Sequence, residues 1–203
     1  LGGLLPPEQD GGISTNPLSY ASWVSDTPGA IDHMAHNIIR CVAHLARVHR
    51  ETGRLIHLDI EPEPDGVLET SEQFVSYFKE HLLRAGRDQL CRDLHIAAHD
   101  AEKLIFDHVA VCLDTCHTAV MFESMESCVA RYLDAGMQIG RVQISSAIRV
   151  RFSQDATQTR AQREALSAYA ESVYLHQVVG RRSDGTLTRY PDLSEALLAG
   201  PDA

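Results

Sequence analysis

Apolar residues along the chain follow two spacings, one typical of buried strands and one typical of amphipathic helices. Short apolar or alternating runs predict strands over residues 11–17, 54–61, 108–114 and 140–145. Apolar residues at helical spacing predict helices over 29–53, 71–86 and 121–136, and a polar helix over 157–171. This regular alternation of strand and helix is typical of an α/β fold with a parallel sheet.

Two parts of the chain are less regular. Over 71–86 we expect Ser71 to cap the helix and Gly86 to stop it, and we predict a loop and a helical stretch over 87–107. Residues 173–190 depart from the alternation and predict a hairpin that turns at Ser183-Asp184-Gly185, before a short helix over 192–199. Because no stretch has a linker composition, we expect one domain over 1–203, with a hairpin-like insertion at about 173–190.

The composition of the chain argues against two classes of protein, those that bind nucleic acid and those that span a membrane. The chain has 203 residues and a net charge of −10, which argues against nucleic acid as a partner because that binding needs a basic face. No apolar run approaches the roughly 18 residues of a membrane span, so we expect no membrane insertion. The five cysteines form no disulfide framework by number or spacing, which favours a reducing, cytoplasmic setting.

Three consecutive predicted strands end in polar side chains. The strand over 54–61 leads into Glu61 and Glu63, the next ends in Asp114 with His117 three residues later, and the third carries Gln143 and Ser145. The carboxyl ends of parallel strands share one edge of a sheet. Carboxylates gathered there repel one another and lose hydration, and a divalent cation removes both costs. A set of Glu, Asp and His suits Mn²⁺, Zn²⁺, Fe²⁺ or Mg²⁺.

Each of these residues also has a purely structural interpretation. The EPEPD stretch over 61–65 is equally well explained as a solvated acidic turn, Asp114 as a loop cap, and His117 as a structural histidine. His57 and Asp59 alternate with apolar residues, and the pattern does not decide which face of the strand they occupy.

Five segments together carry a family resemblance, and they span roughly residues 11–198. They are GGISTNPLSY, HLDIEPEPDGVLET, CLDTCHTAVMFE, GRVQISSAIR and YLHQVVGRRSDGTLTRYPDLSEAL. This combination resembles the EboE family of metabolite-traffic proteins, which belongs to the xylose-isomerase-like superfamily of (β/α)8 TIM barrels. The resemblance implies a divalent-metal site at the mouth of the barrel, where sugar isomerases and epimerases bind two substrate oxygens and relay a proton.

The resemblance also implies roles for individual residues. Glu61 and Asp114 resemble metal ligands, and Gln143 stands where the isomerases have a metal-binding histidine. Four residues are expected to bind substrate, namely Glu63, Glu69, His117 and Arg149. Glu61 and His117 are the catalytic candidates. Related barrels often form dimers, so a homo-oligomer is one expected state.

Two departures from the family affect these expectations. An amide at Gln143 is a weaker metal ligand than imidazole, and the strand that carries the fourth ligand, a glutamate, is not found in the pattern. A TIM barrel has eight strands in about 250 residues, whereas this pattern supplies four or five. We therefore expect an incomplete internal fragment of such a barrel.

Three functions remain open at this stage. The first is a metal-dependent isomerase or epimerase that acts on a small polyol, a sugar or a related metabolite. The alternative is a non-catalytic protein that binds such a precursor and passes it on in a biosynthesis and export pathway. A metal-dependent phosphodiesterase or endonuclease of the same superfamily is less favoured, because DNA-binding members need a basic groove.

Overall fold

The structure, a computed structural model, describes residues 2–6, 9–171, 173 and 176–199. Its residues form two compact units, Leu1–Ser145 and Ser146–Ala203. The first unit contains strands β1 (Gly11–Thr15), β2 (Ile56–Ile60), β3 (Val109–Asp114) and β4 (Gln138–Gln143). Its helices are α1 (Ala21–Val24), α2 (Ala30–Thr52), α3 (Ser71–Tyr77), α4 (Arg87–Leu94), α5 (Ala98–His108), α6 (Thr115–Val120) and α7 (Met125–Asp134), with a π-helical segment, Phe78–Gly86, between α3 and α4.

The four strands of the first unit form one parallel sheet in the order β1-β2-β3-β4. The predicted α/β class with a parallel sheet is therefore confirmed, and all four predicted strands are present with shifted ends. The side chains of β3 alternate between the two faces of the sheet, although its pairing with β4 shifts by one residue between Val111 and Cys112. Val109, Val111 and Leu113 of β3 join the hydrophobic core with the helices, while Cys112 and Asp114 lie on the other face.

The sheet is strongly curled, so that its two outer strands approach each other across the concave face. Arg141 of β4 donates from Nη2 to the carbonyl oxygen of Gly12 in β1 at 3.0 Å. A Cβ atom on either Gly12 or Gly140 would collide with the carboxylate of Asp59, which is fully buried. His57 and Asp59, whose orientation the pattern left open, thus point to the concave face.

Helices cover the convex face of the sheet and form the core with it. The largest fully buried side chains come from the helices, the strands and the turn before β4: Tyr132, Phe74, Phe78, Ile39, Ile60, Leu82, Leu90, Ile105, Met137, His108, Val42 and Val109. No helix in the described part of the chain combines the length and the apolar character that crossing a bilayer requires.

The helix predicted over 71–86 differs from the structure at both ends. Thr70 is the N-cap, because its side chain accepts from the Gln73 backbone N–H and the Gln73 side chain binds back to the Thr70 backbone. Gly86 does not stop the helix, since the chain continues through it into α4 and ends at His95 in the left-handed conformation. Gly86 is required for close packing, because a Cβ there would collide with Ile39 of α2.

The helix predicted over 121–136 is the shorter α7, which begins after a turn at residues 121–124, and α6 before that turn was not predicted. Asp114 caps α6 by accepting from the backbone of Cys116 and His117, so this helix begins as soon as β3 ends. Ser124 caps α7. The predicted start at residue 121 is therefore four residues too early, because the helix begins only after the Ser124 cap.

The second unit contains α8 (Ala156–Ser167), β5 (Val178–Arg181), β6 (Leu187–Tyr190) and α9 (Leu193–Ala199). Strands β5 and β6 are antiparallel and confirm the hairpin. Its turn is closed by a bond from the Arg182 N–H to the Thr186 carbonyl, and Gly185 has a φ of +90°. Residues 174 and 175 of the predicted insertion lie outside the described residues.

Candidate metal site

Glu61 follows β2 directly and stands at the carboxyl edge of the sheet, with 16% of its side chain exposed. Its two carboxylate oxygens have different surroundings. Oε2 accepts from the Ser14 hydroxyl at 3.2 Å and from the Cys112 thiol at 3.5 Å. Oε1 lies 3.3 Å from Nδ1 of His117.

Asp114 ends the neighbouring strand β3, and its carboxylate organises the turn into α6. Oδ1 accepts from the backbone N–H of Cys116 at 2.7 Å, from that of His117 at 3.3 Å and from the Ser145 hydroxyl at 2.6 Å. Oδ2 accepts from Nε2 of Gln143 at 3.3 Å. The capping role is therefore real, and the same geometry fixes the carboxylate at the edge of the sheet.

His117 lies in the first turn of α6, where Asp114 caps the helix and turns the imidazole toward Glu61. Nδ1 of His117 is buried and has no hydrogen-bond partner among the described residues, although Oε1 of Glu61 is close. Nε2 lies 4.0 Å from a carboxylate oxygen of Glu63. A buried ring nitrogen with no hydrogen bond is costly unless another group, such as a cation, occupies its lone-pair direction.

Glu61, Asp114 and His117 each offer one ligand atom, and these three atoms all lie within 4.8 Å of one another. Two carboxylate oxygens and one imidazole nitrogen match the donor set of Mn²⁺, Fe²⁺ and Zn²⁺ sites. Together with the unsatisfied Nδ1, this donor set fits a divalent cation. Gln143 lies against the cluster through Asp114, and the hydrogen bond presents its amide nitrogen rather than its oxygen.

The acidic stretch after β2 forms an ordered turn. The Glu63 N–H donates to the Leu68 carbonyl at 3.1 Å, the Gly66 N–H donates to the Glu63 carbonyl at 3.1 Å, and Leu68 is buried. Burial raises the pKa of the Glu63 carboxyl; nearby His117 lowers it, and neighbouring carboxylates, with Glu61 foremost, raise it further. The stretch is thus a hydrogen-bonded turn whose acidic side chains are half-buried.

Two predicted substrate contacts lie outside the cluster of ligand atoms. Oε1 of Glu69 accepts from the Asp65 N–H at 3.0 Å, which stabilises the turn. Arg149 belongs to the second unit. Contact of either residue with substrate stays a prediction.

No role at the site was predicted for the polar residues that lie beneath the cluster. Ser14 and Cys112 lie under Glu61, and deeper still His57 and Asp59 are joined by a contact of 2.5 Å between Nδ1 and Oδ1. Burial raises the pKa of the Cys112 thiol to about 11, so the thiol keeps its proton near neutral pH. The alternation of β2 indicates that residues 57, 59 and 61 share a face, whereas only the register shows that Ser14 meets Glu61.

Comparison with models of protein families and with curated protein sequences gives no match for this chain.

Proposed function

We propose that this chain provides the metal-binding mouth of a xylose-isomerase-like TIM-barrel protein of the EboE type, which acts on a small polyol, a sugar or a related metabolite. The observation that carries the proposal is the cluster of Glu61, Asp114 and His117, whose ligand atoms converge at the carboxyl ends of adjacent parallel strands. That edge is where TIM barrels place their active sites.

Three features of the fold support a barrel. The strands run parallel in chain order, helices cover the convex face, and the sheet curls until Arg141 of β4 reaches Gly12 of β1. Both outer strands leave side chains uncovered, such as Ile13 in β1 and Val142 in β4. In a closed barrel, further helices would cover these side chains, and further strands would pair with the outer edges of β1 and β4.

The proposed activity is isomerisation or epimerisation next to a carbonyl group. A bound divalent cation would polarise a carbonyl or hydroxyl oxygen of the substrate. Glu61, Asp114 and His117 would hold the cation, and Gln143 would either position Asp114 or, with its amide reversed, offer an oxygen. Glu63 and Glu69 are the proposed partners of substrate hydroxyl groups, and Glu61 and His117 are the candidates for moving the proton.

Elemental analysis tests the metal site directly. The full chain, offered Mn²⁺, Zn²⁺, Fe²⁺ and Mg²⁺ in turn and then dialysed, is expected to keep about one ion per chain for the preferred metal. Glu61→Gln and Asp114→Asn each remove a charged ligand, so each should weaken binding at least about tenfold.

The matched control is Asp134→Asn, which removes one negative charge from an exposed position at the end of α7. It should retain metal like the parent. Equal loss in all three variants would indicate non-specific attraction to an acidic protein. A parent that retains no ion would contradict the metal-dependent reaction and leave the binding and hand-over role, which the hydrogen bond from the Gln143 amide nitrogen to Asp114 also favours.

A further inference from the structure

The two oxygens of Glu61 are not equivalent, and the difference bears on how this residue would bind a cation. A carboxylate oxygen has two lone-pair sites, and Oε2 uses both, one for the Ser14 hydroxyl and one for the Cys112 thiol. Among the described residues no group donates a hydrogen bond to Oε1, which faces Nδ1 of His117.

The two donors come from opposite sides of β2. Ser14 belongs to β1 and is paired in register with Asp59, while Cys112 belongs to β3. Glu61 is also fixed through its backbone, because its N–H donates to the Thr15 carbonyl at 3.1 Å. The carboxylate is therefore held from both neighbouring strands, with one oxygen directed into the sheet and the other toward the mouth.

We propose that Ser14 and Cys112 are positioning residues, which occupy Oε2 and thereby make Glu61 a ligand through Oε1 alone. The inference rests on the proposed metal site and deepens it. A carboxylate that binds through one oxygen takes one coordination position, whereas a bidentate carboxylate takes two. Saving that position leaves more of the cation accessible to the two oxygens of a sugar or polyol substrate.

The experiment measures the water accessible to bound Mn²⁺. Longitudinal relaxation of water protons in the Mn²⁺-loaded full chain, recorded over a range of magnetic fields, gives the number of exchanging water molecules in the first coordination sphere. In the Ser14→Ala, Cys112→Ala double variant, Oε2 is released and can join the coordination sphere. We expect the water number to fall by about one.

Two further variants separate hydrogen bonding from packing. Cys112→Ser keeps a donor at the position and should preserve the parent's water number, whereas Cys112→Ala should not. Cys128→Ala is the matched control, because Cys128 is an equally buried thiol that lies near Glu123 rather than Glu61. It should leave Mn²⁺ binding unchanged. Thermal unfolding of every variant checks that each is folded.

The outcomes distinguish this inference from the metal site itself. If the parent binds Mn²⁺ and the double variant keeps the same water number, the positioning role is overturned and the metal site stands. If Cys112→Ser behaves like Cys112→Ala, the thiol acts through packing, and its positioning role is overturned. If Cys112→Ala does not fold, Ser14→Ala decides, because an unchanged water number there overturns the inference. A parent that binds no Mn²⁺ overturns both proposals.

Discussion

His108 shows how a single buried histidine sets part of the response of this protein to pH. Its Nδ1 donates to the Ile56 carbonyl at 2.6 Å, while its Nε2 is buried with no hydrogen-bond partner among the described residues. Protonation of the neutral ring would place an N–H at Nε2, and no described residue lies there to accept a hydrogen bond from it. Burial therefore lowers the pKa of His108, and nearby His49 and His57 lower it further, against the opposing effects of the Ile56 carbonyl and Asp107.

The expected consequence is a loss of stability in acid. The folded state holds the His108 pKa below the unfolded value of about 6.5, so the unfolded state binds more protons as the pH falls below that value. This contribution is complete above about pH 6.5 and is lost as the pH falls toward the folded pKa. In urea unfolding between pH 5 and 8, His108→Gln should make the stability less dependent on pH below 6.5.

The control for this prediction is His33→Gln, since His33 is an exposed histidine of α2. It should leave the pH dependence of the unfolding free energy as in the parent. If His108→Gln leaves the pH dependence of the unfolding free energy unchanged, the loss of stability in acid is due to other groups.

At the same scale, the sequence could indicate which residues meet at the mouth but not how they are held. Glu61 and Asp114 come together because each ends a parallel strand, and His117 follows from helix α6 starting at once after β3. Ser14 could not be found in this way. Its contact with Glu61 depends on the register between β1 and β2, two strands that lie more than 40 residues apart in the chain.

At the scale of elements, strands were predictable and helix ends were less so. The strands are short apolar or alternating runs, and this pattern gives their number and order, although their ends differ from the prediction by up to two residues. Helix ends are signalled by single residues, such as glycine, that also occur inside helices for packing reasons. Gly86 is a glycine because Ile39 packs against it, not because the helix ends there, and the sequence does not distinguish these two reasons.

The N-terminus of α3 gives the test at this scale. Thr70 and Gln73 form a capping box, in which each side chain binds the other residue's backbone. Thr70→Ala removes the acceptor for the Gln73 N–H, so we expect the free energy of unfolding to fall by about 1 kcal/mol. Urea unfolding measures this change.

Ser76→Ala is the matched control for the cap. Ser76 is an exposed residue of the same helix, and among the described residues its hydroxyl donates to Glu80 alone, at 3.4 Å. We expect a change within about 0.5 kcal/mol. Equal effects of the two substitutions would show that the capping box contributes nothing specific to α3.

The curl of the four-stranded sheet involves residues from β1, β2 and β4 at once, and no local pattern predicts it. Asp59 of β2 occupies the concave face, His57 contacts it at 2.5 Å, and Arg141 of β4 approaches the same carboxylate at 3.9 Å. Gly12 and Gly140 leave the space that this carboxylate needs. Glycine within a strand ordinarily weakens it. Only the folded arrangement shows that these two glycines make room for the Asp59 carboxylate.

The curl therefore predicts that adding one methyl group on the concave face is costly. In Gly140→Ala the new Cβ would collide with the Asp59 carboxylate and the His57 ring, and Asp59 is fully buried and cannot move aside freely. We expect a loss of about 1–3 kcal/mol in the free energy of unfolding, as for other overpacked sites, and a similar loss for Gly12→Ala.

Gly3→Ala is the control, since a Cβ there meets nothing within 4 Å, and it should change stability by no more than about 0.5 kcal/mol. If urea unfolding gives the same small change for all three variants, the outer strands can move apart without cost, and the tight curl is not a determinant of stability.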